Sequence, residues 1–77
     1  MLSAYVLIQT EVGKVAHVAQ ALTKLDGVQL VEDLAGPYDV IARLQAPSLD
    51  ELGRLVASQI QVLDGLTRTL TCIVLHR

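Results

Sequence analysis

At 77 residues the chain forms one small domain, and its formal net charge of −2, from 6 Lys and Arg against 8 Asp and Glu, comes with no cluster of basic residues. That balance argues against a grip on phosphates, which needs clustered cations, so direct binding of duplex nucleic acid is not expected. The chain is 52% hydrophobic with a mean hydropathy of +0.48, more apolar surface than a core of this size hides, so part of it is expected to be covered by other chains.

Cys72 is the single cysteine, which excludes an intrachain disulfide. The start, Met1-Leu2-Ser3-Ala4-Tyr5, has neither a basic lead nor a long apolar stretch. A cytoplasmic setting is the expectation.

Leu2 to Gln9 reads as a strand, with Ala4, Val6 and Ile8 on one face and Tyr5 and Leu7 on the other. Thr10 and Glu11 suit a helix start, a hydroxyl cap and a negative charge near the positive end of the dipole. Val15, Val18, Leu22 and Leu25 recur at helical spacing with Ala16 and Ala19 beside them, while Lys14, His17, Gln20 and Lys24 take the wetter sides. Gly27 is expected to close this helix in the left-handed conformation.

Val28 to Leu34 reads as a second strand, and Gly36-Pro37 turns it into a third, Tyr38 to Gln45. Ser48 and Glu51 form a capping-box signature for a second helix whose buried stripe is Leu49, Leu52, Leu55, Val56, Ile60 and Leu63. Gly53 either weakens that helix or permits a close packing contact. Gly65 stops it, and Thr67 to His76 reads as the last strand.

Leu25-Asp26-Gly27-Val28 recurs as Leu63-Asp64-Gly65-Leu66, an offset of 38 residues from 25 to 63, half the chain. Two strand–helix–strand halves give an α+β domain of order β-α-β-β-α-β, a ferredoxin-like four-stranded antiparallel sheet with both helices on one face. The first and third strands are then central. Val6, Ile8, Val40, Ala42, Leu44, Leu70, Cys72 and Val74 are expected to face the helices. Tyr5, Leu7, Val31, Ile41, Ile73 and Leu75, with Arg43, Thr69 and Thr71, are expected opposite. A face so apolar calls for a second copy packing sheet against sheet, an isologous dimer.

Catalysis finds little support. His17 is on a wet helix side, His76 is next to last, and neither has a Ser or Cys near it in sequence. Cys72 reads as inert core packing. No metal-ligand spacing and no phosphate-binding Gly-rich loop occur, so no metal and no cofactor are expected.

Three features exceed what folding needs. Tyr38-Asp39 after the turn is either rim packing with a local Asp cap, or part of a site. Thr67-Arg68-Thr69-Leu70-Thr71 is either plain strand chemistry or a row of hydroxyls suited to the carboxylate and ammonium of an amino acid. Arg43 is a lone cation on an apolar face, a partner for a carboxylate across an interface or a ligand clamp.

The pattern Leu25-x-Gly27-Val28, Ala35-Gly36-Pro37-Tyr38-Asp39-Val40, Leu63-x-Gly65-Leu66 and Arg68-Thr69-x-Thr71-x-x-Val74-Leu75 resembles the effector-binding domain of the leucine-responsive/asparagine (Lrp/AsnC) regulators, also called RAM, over essentially the whole chain. Full-length members of that family carry a helix-turn-helix domain for which residues 1–77 leave no room, so a stand-alone form, one RAM domain, is expected. The resemblance implies dimers formed through the sheets, rings of dimers such as octamers, and an amino-acid effector bound where dimers meet. It places Gly36, Tyr38 and Asp39 with Thr69 and Thr71 at that pocket, amides and hydroxyls on the carboxylate and Asp39 orienting the site or meeting the ammonium. The role implied is transcriptional regulation of amino acid metabolism, with full-length regulators as possible partners. A purely structural oligomerisation module is one alternative, and a small dimeric α+β-barrel enzyme, an isomerase or monooxygenase, is another.

Overall fold

The computed structural model describes residues 1–75. Four strands, β1 (Leu2–Thr10), β2 (Val28–Asp33), β3 (Val40–Ala46) and β4 (Leu66–Ile73), form an antiparallel sheet in the order β2-β3-β1-β4. Helix α1 (Val15–Thr23) packs on β2 and β3, and α2 (Leu49–Arg54) packs on β3. This is the expected β-α-β-β-α-β arrangement with β1 and β3 in the middle. Ala4, Val6, Ile8, Val40, Ala42 and Leu44 alternate along these two strands at zero exposure and meet Val18, Leu22, Leu52, Leu55 and Ile60 from the helical layer. The last strand ends at Ile73, short of the expected Thr67 to His76, and His76 lies outside the described residues.

Both edge strands correct the expected facing of side chains. In an antiparallel pair, residues directly opposite share a face. On β4, Ile73, Thr71 and Thr69 lie opposite Ala4, Val6 and Ile8, so Thr69, Thr71 and Ile73 are on the helix side. Leu70 and Cys72 lie opposite Leu7 and Tyr5, on the open side. Hydropathy alone predicts the reverse, because it puts the more apolar side of β4 on the core. That rule fails at this edge: the helical layer fully buries the inner faces of β1 and β3 but covers the helix side of β4 only in part, leaving Thr69 half-buried and Thr71 and Ile73 exposed, so that side tolerates hydroxyls. Cys72 is accordingly exposed rather than core packing.

On β2 a register shift between Val28 and Leu30 places Val28 and Val31, three residues apart, on the helix side opposite Leu44 and Ala42. Leu30 and Glu32 then take the open side, opposite Arg43 and Ile41. Val31 is therefore not on the open face. Leu30 and Val31 are both apolar, so alternation could not choose between them.

Helix boundaries also differ from expectation. Thr10 stays in β1, and α1 begins only at Val15 after Lys14, with no side-chain cap. Glu11 instead donates its N–H to the Gly65 carbonyl at 2.8 Å, tying the entry of α1 to the entry of β4. The cap at Ser48 forms as expected, its Oγ accepting the Glu51 N–H at 3.2 Å.

Beyond Arg54 the second helix widens to a π-helical segment, Leu55–Ile60, in which the Gln61 N–H reaches back five residues to the Val56 carbonyl at 2.9 Å. The five-residue spacing of the buried pair Leu55 and Ile60 suits this wider turn. Leu49, expected in the buried stripe, is 60% exposed.

Three glycines adopt positive φ: Gly13, Gly27 and Gly65. Gly27 does so at +95°, as expected, although α1 itself ends earlier at Thr23. Gly36 does not, so the β2–β3 connection needs no left-handed residue there. Gly53 has open space where a Cβ would stand, which removes close packing as its explanation.

Candidate functional site

The β2–β3 connection is held by its far end. Asp39 donates its N–H to the Ile8 carbonyl at 2.8 Å and accepts the Leu34 N–H on its own carbonyl at 2.8 Å, closing the loop against β1. Its side chain works in the same direction. One oxygen, Oδ2, accepts both the Thr10 N–H at 2.8 Å and the Thr10 hydroxyl at 3.2 Å. A carboxylate accepting a backbone N–H makes a charge-assisted bond, stronger than a neutral one. Gln9 adds a bond from its Nε2 to the Pro37 carbonyl at 3.1 Å. Thr10, expected to cap a helix, is thus the anchor of the loop that carries Gly36, Tyr38 and Asp39.

Across β1 from this loop runs β4. Thr69 lies opposite Ile8, the residue whose carbonyl Asp39 engages. One strand therefore separates Asp39 from Thr69, a backbone distance of roughly 10 Å at the usual strand spacing. Thr71 lies two residues further along β4, opposite Val6. A register shift near Thr67 turns this end of the strand, and the Thr67 hydroxyl donates to the Gln9 carbonyl at 3.1 Å. Gln9 thus touches both sides, Pro37 in the loop and Thr67 in β4.

Among the described residues the five candidates share none of the four main concavities. Thr69 opens onto a shallow concavity of about 280 Å3 with Gln61, whose Nε2 reaches the Thr69 hydroxyl at 3.4 Å. Thr71 opens onto an apolar groove of about 190 Å3 between α2 and β4, lined by Leu49, Leu52, Gly53, Val56 and Ile73. A larger concavity, about 460 Å3, is at the opposite end of the sheet around Gly27, Gln45 and Glu51, and none of the five lines it. Gln9, Thr10 and Gln61 were missed from sequence. The signal for the first two is the polar Gln9-Thr10 pair that ends a mostly apolar strand, and Gln61 has none.

The pattern spread over both halves of the chain decides the family. The model of the Lrp/AsnC ligand binding domain matches residues 3–77. The chain belongs to this family. Among curated relatives, an uncharacterized HTH-type transcriptional regulator of Pyrococcus abyssi is 30% identical over 57 residues, 74% of this chain. The match spans only 38% of that relative's own length. A homocitrate synthase of Saccharolobus islandicus is 33% identical over 78% of this chain, yet only 13% of the synthase is covered. Among solved structures, a Thermus thermophilus protein superposes with a TM-score of 0.95 at 31% identity, covering 100% of this chain and 96% of its own. A Neisseria meningitidis transcriptional regulator solved as an L-Met complex shares the fold with a TM-score of 0.84 at 17% identity, over 97% of this chain and half of its own.

The chain is thus an Lrp/AsnC ligand-binding domain, a unit that its curated regulator relatives carry as part of a longer protein. Among its described residues no group of three or more His, Cys, Asp or Glu side chains converges, and no helix is long and apolar enough to cross a membrane.

Proposed function

We propose that this Lrp/AsnC ligand-binding domain senses an amino acid and assembles with copies of itself, acting in the transcriptional regulation of amino acid metabolism. The family match over residues 3–77 is the observation that carries this reading. A Neisseria regulator of the same fold was solved with L-Met, which supports an amino acid as the class of effector.

The proposed site combines Gly36, Tyr38 and Asp39 from the clamped loop with Thr69 and Thr71 from β4. Amides and threonine hydroxyls serve the carboxylate, while the Asp39 oxygen not bonded to Thr10, Oδ1, is the acceptor available to an ammonium. Because Thr69 and Thr71 open onto separate shallow surfaces in one chain, the site is proposed to be completed where two dimers meet. The dimers form through the open sheet face and assemble into a ring such as an octamer. Mixed assembly with full-length regulators would couple the ligand to a promoter, and such coupling requires that the ligand bind one assembly better than another.

The test is mass by light scattering with and without a panel of amino acids, alongside calorimetric titration. A binding isotherm or a shift in assembly for one amino acid is expected. No binding by any of them, with the assembly unchanged, leaves a scaffold.

One observation favours that second reading, a purely structural oligomerisation module. The Asp39 carboxylate is already engaged on Thr10, a bond that a loop needs for folding alone. Substitution at Thr69 separates the two: a scaffold keeps its assembly and loses nothing.

A further inference from the structure

The strands place three charged side chains on the open sheet face among the described residues: Glu32 on β2, Arg43 on β3 and Arg68 on β4. Arg43 lies inside the face and is half-buried. Its Nη1 donates to the Tyr5 hydroxyl at 2.9 Å, and its guanidinium carbon lies 5.5 Å from the centroid of the same ring. The side chain leans toward β1, away from β2, and no carboxylate among the described residues pairs with it. The ion pairs among the described residues are Lys14–Asp64 and Arg54–Asp50.

Covering this face with a second copy takes Arg43 out of water. A buried charge without a counterion is strongly unfavourable, so a stable sheet-to-sheet dimer must bring it a carboxylate. Glu32 is the acidic side chain that the strands carry on that face. We propose that in the homodimer each Arg43 is neutralised by the partner subunit's Glu32, and that this reciprocal pair sets how the two sheets cross. The inference rests on the sheet-to-sheet dimer proposed above.

The register makes the geometry definite. Glu32, Ile41, Leu7 and Leu70 stand in one row across the sheet, and Leu30, Arg43, Tyr5 and Cys72 stand in the next. A two-fold axis running across the strands between these rows lays each row on the other. Arg43 then stands diagonal to the partner subunit's Glu32, which it reaches by swinging from Tyr5 toward β2, and symmetry makes the pair twice. An axis along the strands would instead lay β2 over β4, bring Glu32 near the partner subunit's Arg68, and leave Arg43 unpaired over an aromatic ring. The first arrangement is preferred because Arg68 is exposed at the rim and keeps its water, whereas Arg43 does not.

The experiment uses Glu32→Arg and Arg43→Glu chains, each alone and mixed in equal amounts, with circular dichroism to check folding and sedimentation with native mass spectrometry to read association. Each variant alone should dimerise at least ~30-fold more weakly than the unaltered chain. The mixture should recover a one-to-one heterodimer, because both cross-subunit contacts then join opposite charges. No recovery on mixing overturns the proposal, as does recovery when Glu32→Arg is mixed with Arg68→Glu instead. Leu70→Glu separates this inference from the dimer reading. If Leu70→Glu abolishes the dimer while the charge variants dimerise normally, only the ion pair falls. If Leu70→Glu leaves the dimer intact, the sheet-to-sheet reading falls with it.

Discussion

Asp39 Oδ2 accepts two hydrogen bonds from Thr10, at 2.8 Å from the backbone N–H and 3.2 Å from the hydroxyl, across 29 residues of sequence. This contact joins the end of β1 to the loop entering β3, which carries three of the candidate residues. Replacing Asp39 with Ala should cost about 1–3 kcal/mol, since a part-buried backbone N–H loses a charged acceptor. Thr10→Val removes only the longer bond and should cost about 0.5–1.5 kcal/mol. Urea denaturation of both single variants and the double variant should show coupling of at least ~0.5 kcal/mol. Additive effects would mean that the hydroxyl bond contributes nothing and that the Thr10 N–H alone carries the contact.

Gly27 and Gly53 should respond to Ala in opposite directions. At Gly27, with φ at +95°, an added Cβ would stand 2.9 Å from Leu55 Cδ2 and 3.0 Å from the Gln45 carbonyl oxygen. Strain and contact together should lower stability by more than about 1 kcal/mol. At Gly53, inside α2 with nothing within 4 Å, Ala should raise stability by up to about 1 kcal/mol. Thermal melts of the two variants check the sign of each.

Ile60 closes the π-helical segment at zero exposure, so truncation there opens a cavity under the wide turn. Ile60→Ala should destabilise by about 2–5 kcal/mol. A loss below about 1 kcal/mol in chemical denaturation would show that the segment rewinds to close the space.

Thr69→Val and Thr71→Val keep the shape of each side chain and delete only a hydroxyl. Neither hydroxyl is buried in the chain itself, so stability should move by no more than about 0.5 kcal/mol. Affinity for the amino acid identified by titration should fall roughly 2- to 12-fold at each position, the worth of one hydrogen bond. Unchanged affinity in both variants would remove β4 from the proposed site.

The fold was legible because periodicity survives in a single sequence wherever one side of an element is buried. Ala4, Val6 and Ile8 alternate with Tyr5 and Leu7, Val18 and Leu22 recur at helical spacing, and the repeated Leu-Asp-Gly exits mark two equal halves. The loop residues Tyr38 and Asp39 stood out for a related reason: a turn does not need them. What Asp39 holds was not legible, because its partner Thr10 lies 29 residues away and looks like a helix cap.

The sequence by itself determined the β-α-β-β-α-β order, the two central strands, the helix cap at Ser48 and the family. These follow from local spacing and from patterns that need no partner strand. Only the tertiary structure decided which way the edge strands face. Bulges at Val28–Leu30 and near Thr67 each insert one residue, and one residue moves a side chain to the other side of a sheet. That shift put Thr69 and Thr71 on the helix side of β4, brought Leu30, Glu32, Leu70 and Cys72 to the open face, and set Glu32 one row from the half-buried guanidinium of Arg43.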